Sequence, residues 1–110
     1  MSLEGALSIE SADDAVSFSL TVTNVGDAPA ELRFRSGLSA DVVVLEGDRT
    51  VWRWSDDRLF TQAMRTEVLA PGTSADFGAT WDDPEPGSYE AVATLAAETV
   101  EVTARASFAV

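Results

Sequence analysis

Val16-Ser17-Phe18-Ser19-Leu20-Thr21-Val22-Thr23 places an apolar residue at every second position and a small hydroxyl residue between each pair. Side chains of a strand point alternately to its two faces, so Val16, Phe18, Leu20 and Val22 share one face and Ser17, Ser19, Thr21 and Thr23 the other. This is the pattern of a half-buried strand in an antiparallel sheet, and it ends at the turn-forming cluster Asn24-Val25-Gly26-Asp27. Helical spacing is almost absent from the rest of the chain, and the same alternation recurs in both directions.

Upstream, residues 3–9 make a weaker strand. Downstream, Leu32 and Phe34 alternate with Glu31, Arg33 and Arg35, predicting a strand over 29–35 that begins after Pro29. The short apolar run Val42-Val43-Val44-Leu45 predicts a strand buried on both faces, and Glu46-Gly47-Asp48 turns it into a hairpin with Arg49-Thr50-Val51-Trp52-Arg53-Trp54. Alternation lapses over 55–65, returns at 66–69, breaks at Ala70-Pro71-Gly72-Thr73 and resumes through Ala75, Phe77, Ala79 and Trp81. Asp82-Asp83-Pro84-Glu85-Pro86-Gly87 is the strongest turn signal. Two more strands follow, with Tyr89, Ala91, Ala93 and Leu95 on one face of the first, and Val100, Val102, Ala104, Ala106 and Phe108 on one face of the last. Eight or nine short strands at regular spacing predict an all-β, immunoglobulin-like antiparallel β-sandwich of Greek-key type, with a closed barrel as the alternative. The Pro/Gly-bearing stretches are turn-sized and no repeat is visible, so one domain is expected over residues 1–110.

The composition removes much chemistry. The 110 residues include 19 acidic and 7 basic side chains, a formal net charge of -12, with no histidine and no cysteine. Ser-His-Asp and Cys-His nucleophile systems are thereby excluded, as are disulfides and the usual zinc sites. No enzyme activity, cofactor or metal is expected. All basic residues are arginine, scattered among evenly spread acids. That pattern reads as adaptation to high salt, where screening relieves self-repulsion; the alternatives are a surface meant for a basic partner or an ordinary acidic protein. Nucleic acid and anionic membranes are not expected partners, since both need a clustered basic face. Residues 1–10 lack the basic and apolar regions of a secretory signal, so the chain reads as cytoplasmic, although a trimmed or mature secreted domain would look the same.

Three features are candidates to carry function. The acid pairs Asp13-Asp14, Asp56-Asp57 and Asp82-Asp83 fall in predicted turns, and their spacing matches no calcium loop, so they read as solvated turn faces. Trp52-Arg53-Trp54 places two indoles on one strand face, with Phe60 and Trp81 able to approach; they are core residues or, partly exposed, an interface anchor. The 55–65 loop, Ser-Asp-Asp-Arg-Leu-Phe-Thr-Gln-Ala-Met-Arg, is long for a sandwich connection and holds Leu59, Phe60 and Met64 where polar residues are the rule. Either Leu59 and Phe60 plug the open end of the sandwich, or the loop presents an extended segment to a partner's cleft, with Leu59-Phe60 or Met64-Arg65 as primary anchors. The candidate partner-binding residues are therefore Trp52, Trp54, Arg58, Leu59, Phe60, Met64 and Arg65.

The run Val51-Trp52-Arg53-Trp54-Ser55, then Phe60-Thr61-Gln62-Ala63, Leu69-Ala70-Pro71-Gly72, Trp81-Asp82 and Pro86-Gly87-Ser88-Tyr89 resembles the intracellular proteinase inhibitor family called BsuPI. The segments 18–24 and 32–37 fit the same family, so the likeness spans most of the chain. It implies an immunoglobulin-like sandwich and a partner that is an intracellular subtilisin-type serine proteinase. It brings no reactive-site residue with it. The alternative is a structural or interaction sandwich without inhibitory activity, of unknown oligomeric state.

Overall fold

A computed structural model describes residues 2–56 and 58–110. It holds nine strands and, among the described residues, no helix: β1 (Leu3–Ser11), β2 (Ala15–Asn24), β3 (Ala30–Phe34), β4 (Ala40–Glu46), β5 (Arg49–Arg53), β6 (Arg65–Leu69), β7 (Ser74–Asp82), β8 (Ser88–Leu95) and β9 (Thr103–Ala109). All pairings are antiparallel, in the orders β1-β2-β7, β3-β6 and β5-β4-β8-β9. The predicted all-β sandwich is the observed architecture.

The alternation in β2 does what its period dictates. Val16, Phe18, Leu20 and Val22 are buried, and the register sets them opposite Trp81, Ala79, Phe77 and Ala75 of β7. Across the sandwich, Tyr89, Ala91, Ala93 and Leu95 of β8 face inward beside Val42 and Val44 of β4. Burial of these side chains is the main driving force for the fold, at about 25 cal/mol per Å² of apolar surface. β1 also lies against β9, and Gly5 lets them meet: a Cβ there would come within 2.6 Å of Val102 Cγ1.

The β3–β6 pair continues the β2–β7 ladder past a kink. At the kink the amide of Asn24 donates to the Thr73 carbonyl at 3.0 Å, and the amide of Gly72 donates to the Asn24 carbonyl at 2.8 Å. Beyond it, the other edge of β3 meets the connection that follows β8, through an isolated bridge of Phe34 to Ala97 and the bond from the Glu98 amide to the Arg33 carbonyl. Among the described residues, β6 pairs with β3 alone.

Two expectations need correction. The Val42–Leu45 run is not buried on both faces: Val42 and Val44 are buried, whereas Val43 and Leu45 are only half-buried. Val43 points to the outer face, opposite Arg53 and Val92 on the adjacent strands. The last strand begins at Thr103 rather than Val100. Residues 96–102 form a connection that still buries Val102, whose carbonyl accepts from the Leu95 amide at 2.9 Å.

Tyr89, the second residue of β8, donates its hydroxyl to the Glu85 carbonyl, four residues upstream, at 2.6 Å. This is the tyrosine-corner arrangement met in immunoglobulin-like sandwiches. Burial pushes the Tyr89 phenol above its ordinary value, and the carboxylates of Glu46 and Glu85 add to the shift.

Candidate functional site

The connection from β5 to β6 joins two strands at sheet edges: β5 ends its sheet and, among the described residues, β6 pairs with β3 alone. Its start is fixed by Asp41 of β4. One carboxylate oxygen of Asp41 accepts from the Ser55 amide at 3.0 Å, and the other accepts from the Ser55 hydroxyl at 2.7 Å. Arg53 lies 3.9 Å from the same carboxylate. The amide of Trp54 continues the ladder by donating to the Val42 carbonyl at 2.9 Å.

Trp52 points inward and is half-buried, stacked between Phe18 at 5.9 Å and Trp81 at 5.8 Å between ring centroids. It belongs to an aromatic cluster completed by Tyr89 and Phe108. Trp54 lies at the rim of that cluster, 6.4 Å from Trp52 and tilted by 60°. Trp81 therefore joins Trp52, whereas Phe60 lines a shallow cleft of about 310 Å³ with Trp54, Leu38 and Phe77.

The loop residues divide sharply. Arg58 lays its guanidinium over Trp54, with Cζ 3.5 Å from the ring centroid, and its Nε donates to the Trp54 carbonyl at 2.8 Å. Phe60 is half-buried, and the amide of Gly37 donates to the Thr61 carbonyl at 3.0 Å. Leu59 between them is fully exposed, at 102% of its reference area, and Met64 is 63% exposed. Leu59 and Phe60 do not plug the sandwich end as a pair, because only Phe60 turns inward. Arg65 is held over Phe34 at 4.2 Å, donates to Glu67 at 2.6 Å and also bonds the Ser39 hydroxyl. Asp57 lies outside the described residues.

Two features of this end escape a reading of periodicity. Val68 is 66% exposed on the outer face of β6, opposite Glu31. Arg65 and Glu67 alternate with the buried Leu69, opposite Phe34 and Leu32 of β3, and form an ion pair that is half-buried at Arg65 and exposed at Glu67. The alternation Arg65, Glu67, Leu69 is visible in the sequence, but which face it occupies depends on the partner strand.

Among the described residues no group of three His, Cys, Asp or Glu side chains is placed to hold a metal ion. What the arrangement can do chemically is present a pre-shaped, partly apolar chain segment to another surface.

Comparison with solved structures places the fold among sandwich domains of larger proteins. The chain is similar to part of a β-glucosidase from Kluyveromyces marxianus, with 15% identity and a TM-score of 0.56 over 99% of this chain and 14% of the other. It is similar to part of β-glucosidase 3B from Thermotoga neapolitana, with 14% identity and a TM-score of 0.53 over 98% and 16%. It is also similar to the sporulation control protein Spo0M of Bacillus subtilis, with 12% identity and a TM-score of 0.54 over 98% and 48%. The chain thus spans less than half the length of each, and at these identities the likeness is one of fold alone. No curated protein sequence matches it. The family model described as intracellular proteinase inhibitor matches residues 3–100, nearly the whole run of strands together with the Trp52–Trp54 element and the clamped loop, and the chain belongs to that family, BsuPI.

Proposed function

We propose that this chain inhibits a subtilisin-type serine proteinase, acting as one domain that lays residues 58–64 in the enzyme's substrate cleft. The observation that carries this reading is a connection held by Arg58 on Trp54, by Gly37 on Thr61 and by the pairing of Arg65 with Phe34, that nevertheless holds Leu59 and Met64 in water. A segment ordered before binding loses little further conformational entropy in a cleft. Family membership supports a proteinase as the partner and an intracellular setting. The net charge of -12 with no lysine supports a working environment of high salt.

The test is a titration of subtilisin with the purified chain in molar potassium chloride, following hydrolysis of a peptide substrate. Saturable inhibition with the chain intact is the expected result. No inhibition, or digestion of the chain, overturns the reading.

The single strand neighbour of β6 and the exposed Val68 favour a second reading, an interaction domain that self-associates through that edge without inhibiting anything. Sedimentation as a monomer at high protein concentration rejects it.

A further inference from the structure

Resting on the inhibitor reading, we propose that Leu59 is the side chain that enters the primary specificity pocket of the target, and that the target is therefore a proteinase whose pocket is apolar rather than acidic. Of the five large apolar or arginine side chains in residues 58–65, the structure turns three to the scaffold and leaves two in solvent. Arg58 is spent on the ring and carbonyl of Trp54. Phe60 turns into the cleft beside Trp54 and Phe77. Arg65 is spent on Phe34, Ser39 and Glu67. Both arginines of the segment are thus turned away from any acidic pocket.

Leu59 and Met64 remain, and their backbones differ. Met64 immediately precedes Arg65, the first residue of β6, which is paired with Phe34. A residue so close to a ladder sits beside the scaffold rather than at the crest of the segment. Leu59 has an anchored residue on each side, and in extended chain the neighbours of an outward residue point the opposite way. Arg58 and Phe60 turned to the scaffold leave Leu59 directed outward, in agreement with its complete exposure. A leucine entering a pocket that bears a carboxylate would leave that charge desolvated and unpaired, whereas an apolar slot gains from the full burial of the side chain. Pocket chemistry sets which residue a serine proteinase accepts there.

The test compares the full chain with Leu59→Gly and Leu59→Arg, and with Val25→Ser as a control in a remote exposed turn, against subtilisin and trypsin. Unchanged thermal midpoints establish that the variants are folded, as expected for a fully exposed side chain. The unsubstituted chain is expected to inhibit subtilisin at least tenfold more strongly than trypsin. Both Leu59 substitutions are expected to weaken inhibition of subtilisin by roughly 10- to 150-fold, the worth of one buried leucine, while Val25→Ser stays within about twofold, as surface changes do. Inhibition of subtilisin that survives both Leu59 substitutions overturns the assignment of Leu59 and leaves the inhibitor reading standing. Inhibition of trypsin as strong as that of subtilisin overturns the apolar pocket. Inhibition of neither enzyme overturns both readings together.

Discussion

The side-chain amide of Asn24 donates to the carbonyl of Leu69, 45 positions further along the chain, at 2.9 Å. The same nitrogen donates to the Ala28 carbonyl at 2.9 Å, and the side-chain Oδ1 of Asn24 accepts from the Gly26 amide at 3.0 Å. Asn24 is the one buried polar residue among those described, and it fastens the kink where the β2–β7 ladder passes into β3–β6. Every polar atom of its side chain is used, which is what makes its burial tolerable.

Asn24→Ala is expected to destabilise the fold by about 2–4 kcal/mol, because three backbone groups lose their partner at a buried site. Asn24→Asp should be at least as damaging at neutral pH, since a carboxylate still accepts from Gly26 but confronts the two carbonyls with an acceptor. Urea unfolding followed by tryptophan fluorescence measures both. An aspartate variant as stable as the parent would contradict the bonding pattern.

Trp52→Ala is expected to cost about 3–5 kcal/mol, the usual penalty for deleting a large aromatic from a packed cluster. Its ring is shared between Phe18 and Trp81, so the loss falls on stability. Denaturation midpoints and inhibition measured on the same preparation separate the two: where the variant is still folded, its inhibition should approach that of the parent.

Arg58→Ala is expected to leave the thermal midpoint nearly unchanged and to weaken inhibition about two- to fivefold, the equivalent of roughly 0.5–1 kcal/mol for an exposed cation–π contact. Arg58→Lys should recover only part of that loss, since an ammonium does not lie flat on the indole as a guanidinium does. Equal inhibition by all three proteins would show that the contact with Trp54 does not shape the loop.

The pH dependence is unusually easy to isolate. The chain has one tyrosine and no lysine or cysteine, so above pH 9 Tyr89 is the side chain that titrates below the arginines. Its native phenol is raised, first by burial and then by Glu46 and Glu85. The unfolded chain therefore releases this proton at lower pH than the native one. The stabilisation is fully present below the ordinary phenol value of about 10 and is lost as pH rises from there through the higher native value. Tyr89→Phe should remove that slope and also lower the thermal midpoint, because the bond to the Glu85 carbonyl is gone. Absorbance titration of the phenol gives the native midpoint directly, and a midpoint at or below 10 would refute the shift.

Salt should act in one direction. With a net charge of -12, raising potassium chloride from low to molar concentration should raise the thermal midpoint, steeply at first and then more gradually as screening saturates. A midpoint that is flat or falls over that range would count against the high-salt reading.

Much of the fold was legible because alternation is a local property. The β2 pattern, the Glu46-Gly47-Asp48 hairpin and the Pro86-Gly87 turn each depend on a handful of consecutive residues, and Gly47 takes the positive φ of 63° that its hairpin needs. The β4 and β9 corrections share a different origin. Val43 and Val100 are apolar residues whose surroundings are set by strands far away in sequence, and no local period reports whether a second layer or a ladder partner will be there. The same holds at the candidate site. The loop and its apolar residues stood out by being out of place, but the split of Leu59 from Phe60 depends on Gly37 and Trp54, reached only in the folded chain. Asn24 looked like an ordinary turn asparagine, and its bond to Gly26 is the local part of its role; the bond to Leu69 has no sequence signal.

The loop between β5 and β6 is braced by an arginine on a tryptophan, a backbone bond to Gly37 and a carboxylate under Ser55, and by no covalent cross-link. Its shape is accordingly indifferent to thiols and oxidants, because no sulfur–sulfur bond exists to be reduced or reshuffled. Its rigidity is tied instead to the integrity of β4 and β5, which supply Asp41 and lead into Trp54. Warming that frays those two strands would slacken the binding segment before the rest of the sandwich melts, so potency should decline with temperature ahead of the global transition.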